Sequence, residues 1–78
     1  MAKSLRSRKH RNLIAVLVGA RKAAGLTQHD LAAKMKRTQS FVATTETGER
    51  RLDVVEFIEM AKALGEDPVA LFKRIVEW

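Results

Sequence analysis

The stretch Ala24-Gly25-Leu26-Thr27-Gln28-His29-Asp30-Leu31-Ala32 holds a helix stop, a turn and a helix start within nine residues, and its reading decides the fold. Gly25 takes positive φ at no steric cost and so closes a helix behind it. Thr27 stands where an N-cap belongs, with Asp30 three residues on as a shortened capping box. The spacing predicts a short helix from Gln28 to about Lys36 that turns Leu31, Ala32 and Met35 inward. Downstream, Thr38 is the next N-cap and opens a third short helix, Gln39 to about Thr47, which Gly48 stops. Upstream, Leu13, Leu17, Ala20 and Ala24, flanked by Ile14 and Val18, form one apolar stripe of a helix from about His10 to Ala24. Asp53 and Glu56 repeat the capping signature ahead of Val54, Phe57, Ile58, Ala61 and Leu64, a fourth helix ended by Gly65. Asp67-Pro68, an N-cap followed by proline at the first helical position, opens a last helix to the C-terminus. No segment alternates with period two for long enough to make a strand. The expected architecture is all-α: a compact bundle of five helices over residues 10–78, with residues 1–9 as an N-terminal arm.

Composition narrows the function. With 78 residues there is room for one small domain and no separate catalytic or sensor unit. The chain has no cysteine, so disulfides and thiolate metal sites are excluded, and His10 and His29 alone make no zinc site. The longest apolar run, Leu13 to Val18, is six residues, far short of the ~20 a membrane span needs. Charge is asymmetric. Residues 1–29 carry Lys3, Arg6, Arg8, Lys9, Arg11, Arg21 and Lys22 with no acid, giving +7, while residues 30–78 carry the remaining eight bases and all nine acids, giving −1. A basic arm ahead of a balanced domain suits a polyanion, because each neutralised phosphate releases counterions. Ser40, His29 and Asp30 are the residue types of a catalytic triad, but a helical bundle of this size offers no useful pocket for one. The glycines are scattered, so no phosphate-binding loop is present. The reading is a non-enzyme with no catalytic residue, no metal and no cofactor.

Two short helices joined by a three- or four-residue turn in a small basic domain suggest a helix-turn-helix. The run from Ala24 to Ala32 resembles the G-L-T-Q-x-x-L-A signature of the Cro/CI (XRE) family. Gln39-Ser40-Phe41-Val42 and Glu46-Thr47-Gly48-Glu49-Arg50 are similar to its second conserved segment, and Leu64-Gly65-x-Asp67-Pro68 to its link into helix five. The similarity covers about residues 10–75. It implies a lambda-repressor-like bundle in which helices 2 and 3 form the helix-turn-helix. It also implies a sequence-specific transcriptional regulator, a repressor, that binds double-stranded DNA at a near-palindromic operator as a dimer in a prokaryotic or phage-type cytoplasm.

The resemblance assigns roles residue by residue. Gln39 and Ser40 take the first positions of the recognition helix, with Thr44 one turn on, where side chains meet base edges. A glutamine amide pairs bidentately with adenine, and hydroxyls serve several bases. Gln28 corresponds to a phosphate-clamping glutamine. Arg37 in the turn, and Arg50 and Arg51 after the recognition helix, are the phosphate-binding bases. Phe41 either packs beside the sugar-phosphate backbone or covers the core. Arg21 corresponds to an arginine that pairs with the glutamate at Glu46, a structural role. Three positions depart from the family: Lys36 stands where glycine is usual because φ is positive, Thr45 replaces a large apolar residue, and Thr44 replaces a longer side chain. Gly19 within helix one is expected to allow close helix approach.

The last helix carries two apolar stripes, Val69/Phe72/Val76 and Leu71/Ile75/Trp78. One closes the core and the other is expected to form a homodimer, with Phe72, Ile75, Val76 and Trp78 as candidates. Two other functions are weighed. In one, the domain is an antitoxin or other protein-binding module that neutralises a partner such as a toxin, with DNA binding secondary; for the regulator itself the candidate protein partner is polymerase. In the other, the arm binds anionic membrane; this is disfavoured because the core needs the apolar face of helix one.

Overall fold

The computed structural model describes residues 7–77, so Trp78 and arm residues 1–6 lie outside the described part. Within it the order is α1 (Arg8–Ala23), α2 (Gln28–Met35), α3 (Gln39–Thr47), α4 (Val54–Ala63) and α5 (Pro68–Glu77), with no strand among the described residues. The helix starts follow side-chain chemistry. Ser7, Thr27, Thr38 and Asp53 sit in extended backbone, and each accepts from the amide three residues on. The boxes at Thr27/Asp30 and Asp53/Glu56 are reciprocal. Ser7 starts α1 at Arg8 rather than near His10, so the last two residues read as arm are helical. Lys9 reaches across to the far end of the chain, its Nζ donating to the Val76 carbonyl at 3.0 Å.

The core joins Val16, Leu17 and Ala20 of α1, Leu31 and Ala32 of α2, Phe41 and Val42 of α3, Met60, Ala61 and Leu64 at α4, and Leu71 and Ile75 of α5. Three expectations about faces need correction. On α4 the buried side centres on Met60, Ala61 and Leu64, because α2 and α5 pack against it. Val54 and Ile58 of the expected stripe therefore point outward. On α5 the Leu71/Ile75 stripe faces the core, so Ile75 is no interface residue, while Val69, Phe72 and Val76 stay exposed. Gly19 is exposed, and a Cβ there would meet nothing within 4 Å, so no close helix approach explains it.

His10 is buried at 7% exposure, and its Nε2 has no hydrogen-bond partner. Burial, and secondarily the charge of Arg51, holds its imidazole below the ordinary histidine value. It lines a mainly apolar cleft of about 330 Å³ with Leu13, Leu52, Phe57, Phe72 and Ile75.

Because Gly19 occupies an open helix interior, Gly19→Ala removes only backbone freedom. It is expected to raise stability by ~0.5–1 kcal/mol in denaturant unfolding, with no change in helical circular dichroism beyond the added propensity.

Candidate nucleic-acid interface

The helix-turn-helix pair is α2, the turn Lys36-Arg37-Thr38, and α3. The turn works because Lys36 adopts the left-handed conformation, φ 59° and ψ 42°. There the Lys36 amide donates to the Ala33 carbonyl at 3.1 Å and the Arg37 amide to that of Ala32 at 2.9 Å, which satisfies the end of α2. Lysine bears a strain of ~1 kcal/mol that glycine would not. Ala32, 2% exposed, is the small residue at the meeting of α2 with its neighbours.

α3 is divided into two faces. Phe41, Val42 and Thr45 are buried, whereas Gln39 and Ser40 in the first turn are exposed. Thr45 fills the position of the expected apolar residue by folding its hydroxyl back onto the Phe41 carbonyl at 2.7 Å, which lets it be buried with its polar atom satisfied. Thr44 does the same to the Ser40 carbonyl at 2.7 Å and is half-buried. Its Oγ1 proton is thus committed, leaving acceptor capacity and a methyl group.

A largely covered ion pair holds the back of α3 to α1. The Arg21 Nε donates to Glu46 Oε2 at 2.7 Å and its Nη2 to Oε1 at 3.1 Å, both side chains being about 10% exposed. The third arm, Nη1, donates to the Leu26 carbonyl at 2.8 Å and so fixes the approach to α2. The pairing expected of Arg21 and Glu46 is present. Gln28 joins it, its Nε2 donating to Glu46 Oε1 at 2.9 Å. The first residue of α2 is thereby tied to the last turn of α3.

The other basic residues are brought together by an acid that the sequence showed only as a cap. Glu56, 9% exposed, accepts from Arg50 Nη1 at 2.9 Å and Nη2 at 2.8 Å. Arg37 Nη1 lies 3.7 Å from the same carboxylate, and its Nη2 is 3.4 Å from Glu59. Both guanidinium groups lie over Phe41, their carbons 4.6 Å (Arg37) and 4.4 Å (Arg50) from the ring centroid. Phe41 therefore covers the core with part of its ring and carries two cations on the rest. The double hydrogen bond from Arg50, then the amide of Asp53, pulls the Glu56 carboxyl down to about 2. Arg51 is exposed beside this cluster. Sequence reasoning missed the second task of Glu56 because Arg50 lies in a loop, where helical spacing announces nothing.

Among the described residues no group of acids, histidines or cysteines is arranged to hold a metal ion, and no described helix is long and apolar enough to cross a membrane. What the fold and this surface define is a helix-turn-helix protein. The family model of the helix-turn-helix domain matches residues 4–72. An XRE-family like protein from Pseudomonas syringae pv. tomato str. DC3000 is 43% identical, with 97% of this chain and 93% of that chain covered and a TM-score of 0.88. The chain belongs to the XRE-type helix-turn-helix family of DNA-binding transcriptional regulators. The fold is shared more widely. The restriction-modification controller protein C.Esp1396I, solved as a tetramer in complex with its natural 35 base-pair operator, superposes with a TM-score of 0.83 at 24% identity, over 91% of this chain and 93% of that one. The clp gene regulator ClgR from C. glutamicum gives 0.80 at 18% identity, over 91% and 92%. Among curated protein sequences none matches the chain.

Since Glu56 is bound more tightly when ionised, its folded-state value lies below the ordinary 4.5. The stabilisation is complete above that value and is lost as pH falls from 4.5 toward 2. Thermal melting followed across this window is expected to fall, and Glu56→Ala is expected to flatten that part of the curve.

Proposed function

We propose that the chain is a sequence-specific repressor that reads a near-palindromic operator as a dimer, without a cofactor, in a prokaryotic or phage-type cytoplasm. One observation carries the reading: α3 is anchored by its buried face, while Gln39 and Ser40 stand exposed at its N-terminal turn. A major groove admits a helix offered in that way. Gln39, Ser40 and Thr44 are the base-edge residues. Gln28, Arg37, Arg50 and Arg51 are the residues that meet the sugar-phosphate backbone, which sets register, while Phe41 supports the two guanidinium groups. The basic arm adds sequence-independent attraction.

Dimerisation is supported by what α4 and α5 leave uncovered. Val54, Val55, Ile58, Val69, Phe72 and Val76 are all exposed large apolar residues. Phe57 and Phe72 meet edge-on with centroids 6.3 Å apart, linking the α4 and α5 faces, and Val54 and Phe72 both border the apolar cleft. An exposed patch of this kind marks an interface. A two-fold axis through it gives two recognition helices ~34 Å apart, one turn of DNA. The resulting protein represses by occupying its operator.

Two outcomes test this. Gln39→Ala is expected to weaken operator binding by ~1–3 kcal/mol and to flatten discrimination at one base pair, read by competition gel shifts against single-substituted duplexes. An unchanged base preference refutes the assignment of α3. Sedimentation is expected to give twice the 8.8 kDa chain mass for the wild type and the single mass for Phe72→Asp with Val76→Asp, both of which leave the core intact. A wild type that remains monomeric at micromolar concentration refutes the interface.

A further inference from the structure

We propose that Glu56 is the residue that sets the protein's discrimination between operator and random DNA, acting through Arg37 and Arg50. This rests on the DNA-binding reading above.

Arg37 and Arg50 flank α3, one in the turn before it and one in the loop after it. Left free, two arginines at these places would bind any phosphate, since such contacts carry no sequence information. They are not left free. Glu56 takes two hydrogen bonds from Arg50 and lies 3.7 Å from Arg37, which also reaches Glu59 at 3.4 Å. Two cations and two carboxylates make the cluster neutral. Electrostatic attraction to random DNA accordingly has little to work with at this spot.

Geometry adds a second element. A carboxylate that grips Arg50 through two parallel N–H groups fixes the plane as well as the position of the guanidinium. Glu56 is itself immobilised: it accepts from the Asp53 amide at 3.1 Å, while its own amide donates to Asp53 Oδ1 at 2.7 Å. Phe41, anchored in the core, lies under both guanidinium groups. The two arginines are thus held in one orientation relative to α3. They present N–H groups to a phosphate only where the backbone passes in register with that helix. Glu56 touches no DNA in this scheme and is a positioning residue.

The consequence is measurable without knowledge of the natural operator. Wild-type protein selects a duplex from a randomised library, and a scrambled duplex of equal length serves as the non-specific probe. Binding to both is followed across salt concentration. Glu56→Gln keeps an amide oxygen for the Asp53 amide but cannot neutralise the arginines. With it, the salt slope on the scrambled duplex is expected to steepen by ~0.9 for each arginine released, hence up to ~1.8. Preference for the selected duplex is expected to narrow by ~10-fold or more. Glu66→Gln, whose partner is Arg74 at 3.7 Å on the α5 side, makes the same change of net charge and is expected to move neither reading. Should Glu56→Gln melt below the assay temperature, Arg50→Lys reports from the other partner. Lysine keeps the charge, and so the neutrality of the cluster, without the two-pronged grip; the slope is expected to hold while preference for the selected duplex narrows, and an unchanged preference there overturns the role of Glu56. An unchanged slope and preference in folded Glu56→Gln, or an equal effect of Glu66→Gln, overturns the role of Glu56 while the DNA-binding reading stands. A wild type that binds neither duplex overturns both.

Discussion

The ion pair between Arg21 and Glu46 is the constraint on which the rest depends. It crosses from α1 to α3 in a region where both side chains are almost fully covered; Arg21 also donates to the Leu26 carbonyl, and Glu46 also accepts from the Gln28 side-chain amide. Three elements are therefore held by one ion pair: α1 through Arg21, the entry to α2 through the Leu26 carbonyl on Arg21 and the Gln28 amide on Glu46, and α3 through Glu46 itself. Removing either charge would strand the other away from water, which is far more costly than losing an exposed pair. α3 needs such a hold. Its sequence contains Thr44, Thr45 and Thr47, three residues of poor helix propensity, all turned back onto the backbone. The recognition helix is kept in place by tertiary contacts rather than by its own preference.

The opposite end of α3 is governed by a second carboxylate with different surroundings. Glu46 lies behind the helix, largely covered at the junction with α1 and α2; Glu56 lies beside it, at the edge of the surface proposed for DNA. Both gather nitrogen donors from several elements, and both bring arginines to α3. The first makes rigidity. The second shapes the charge a polyanion meets. The small size of the domain makes this economy necessary, because a core of a dozen buried apolar residues cannot by itself fix every loop.

The apolar surface of α4 and α5 has its own logic. A single stripe of α5, Leu71 and Ile75, is enough to close the core, so Val69 and Val76 stay exposed, and Phe72 is exposed apart from its edge-on contact with Phe57. On α4 the buried side is rotated toward Met60 and Ala61 by the helices packed on either flank, which leaves Val54, Val55 and Ile58 outside. The two exposed faces meet at Phe72. The domain thus keeps its apolar surplus on α4 and α5, away from the exposed first turn of α3 that is proposed to read DNA.

The sequence alone determined the number, order and type of the helices. Caps at Thr27, Thr38 and Asp53, glycine stops, and the proline at the start of α5 are local chemistry, readable within three or four residues. Through the resemblance of Gln39–Val42 to a known pattern it also pointed to Gln39 and Ser40, which stand exposed in the first turn of α3. What only the tertiary structure decided involves residues far apart in the chain or outside any periodic element. The side of α4 that is buried depends on where α2 and α5 lie, and the choice between the two stripes of α5 depends on α1. The strain at Lys36 is borne because the turn is held at both ends. The joining of Arg37, Phe41, Arg50 and Glu56 brings a turn, a helix, a loop and a cap to one place. Local spacing carries the preferences of the backbone; charge pairing between separate elements exists only once the chain has folded.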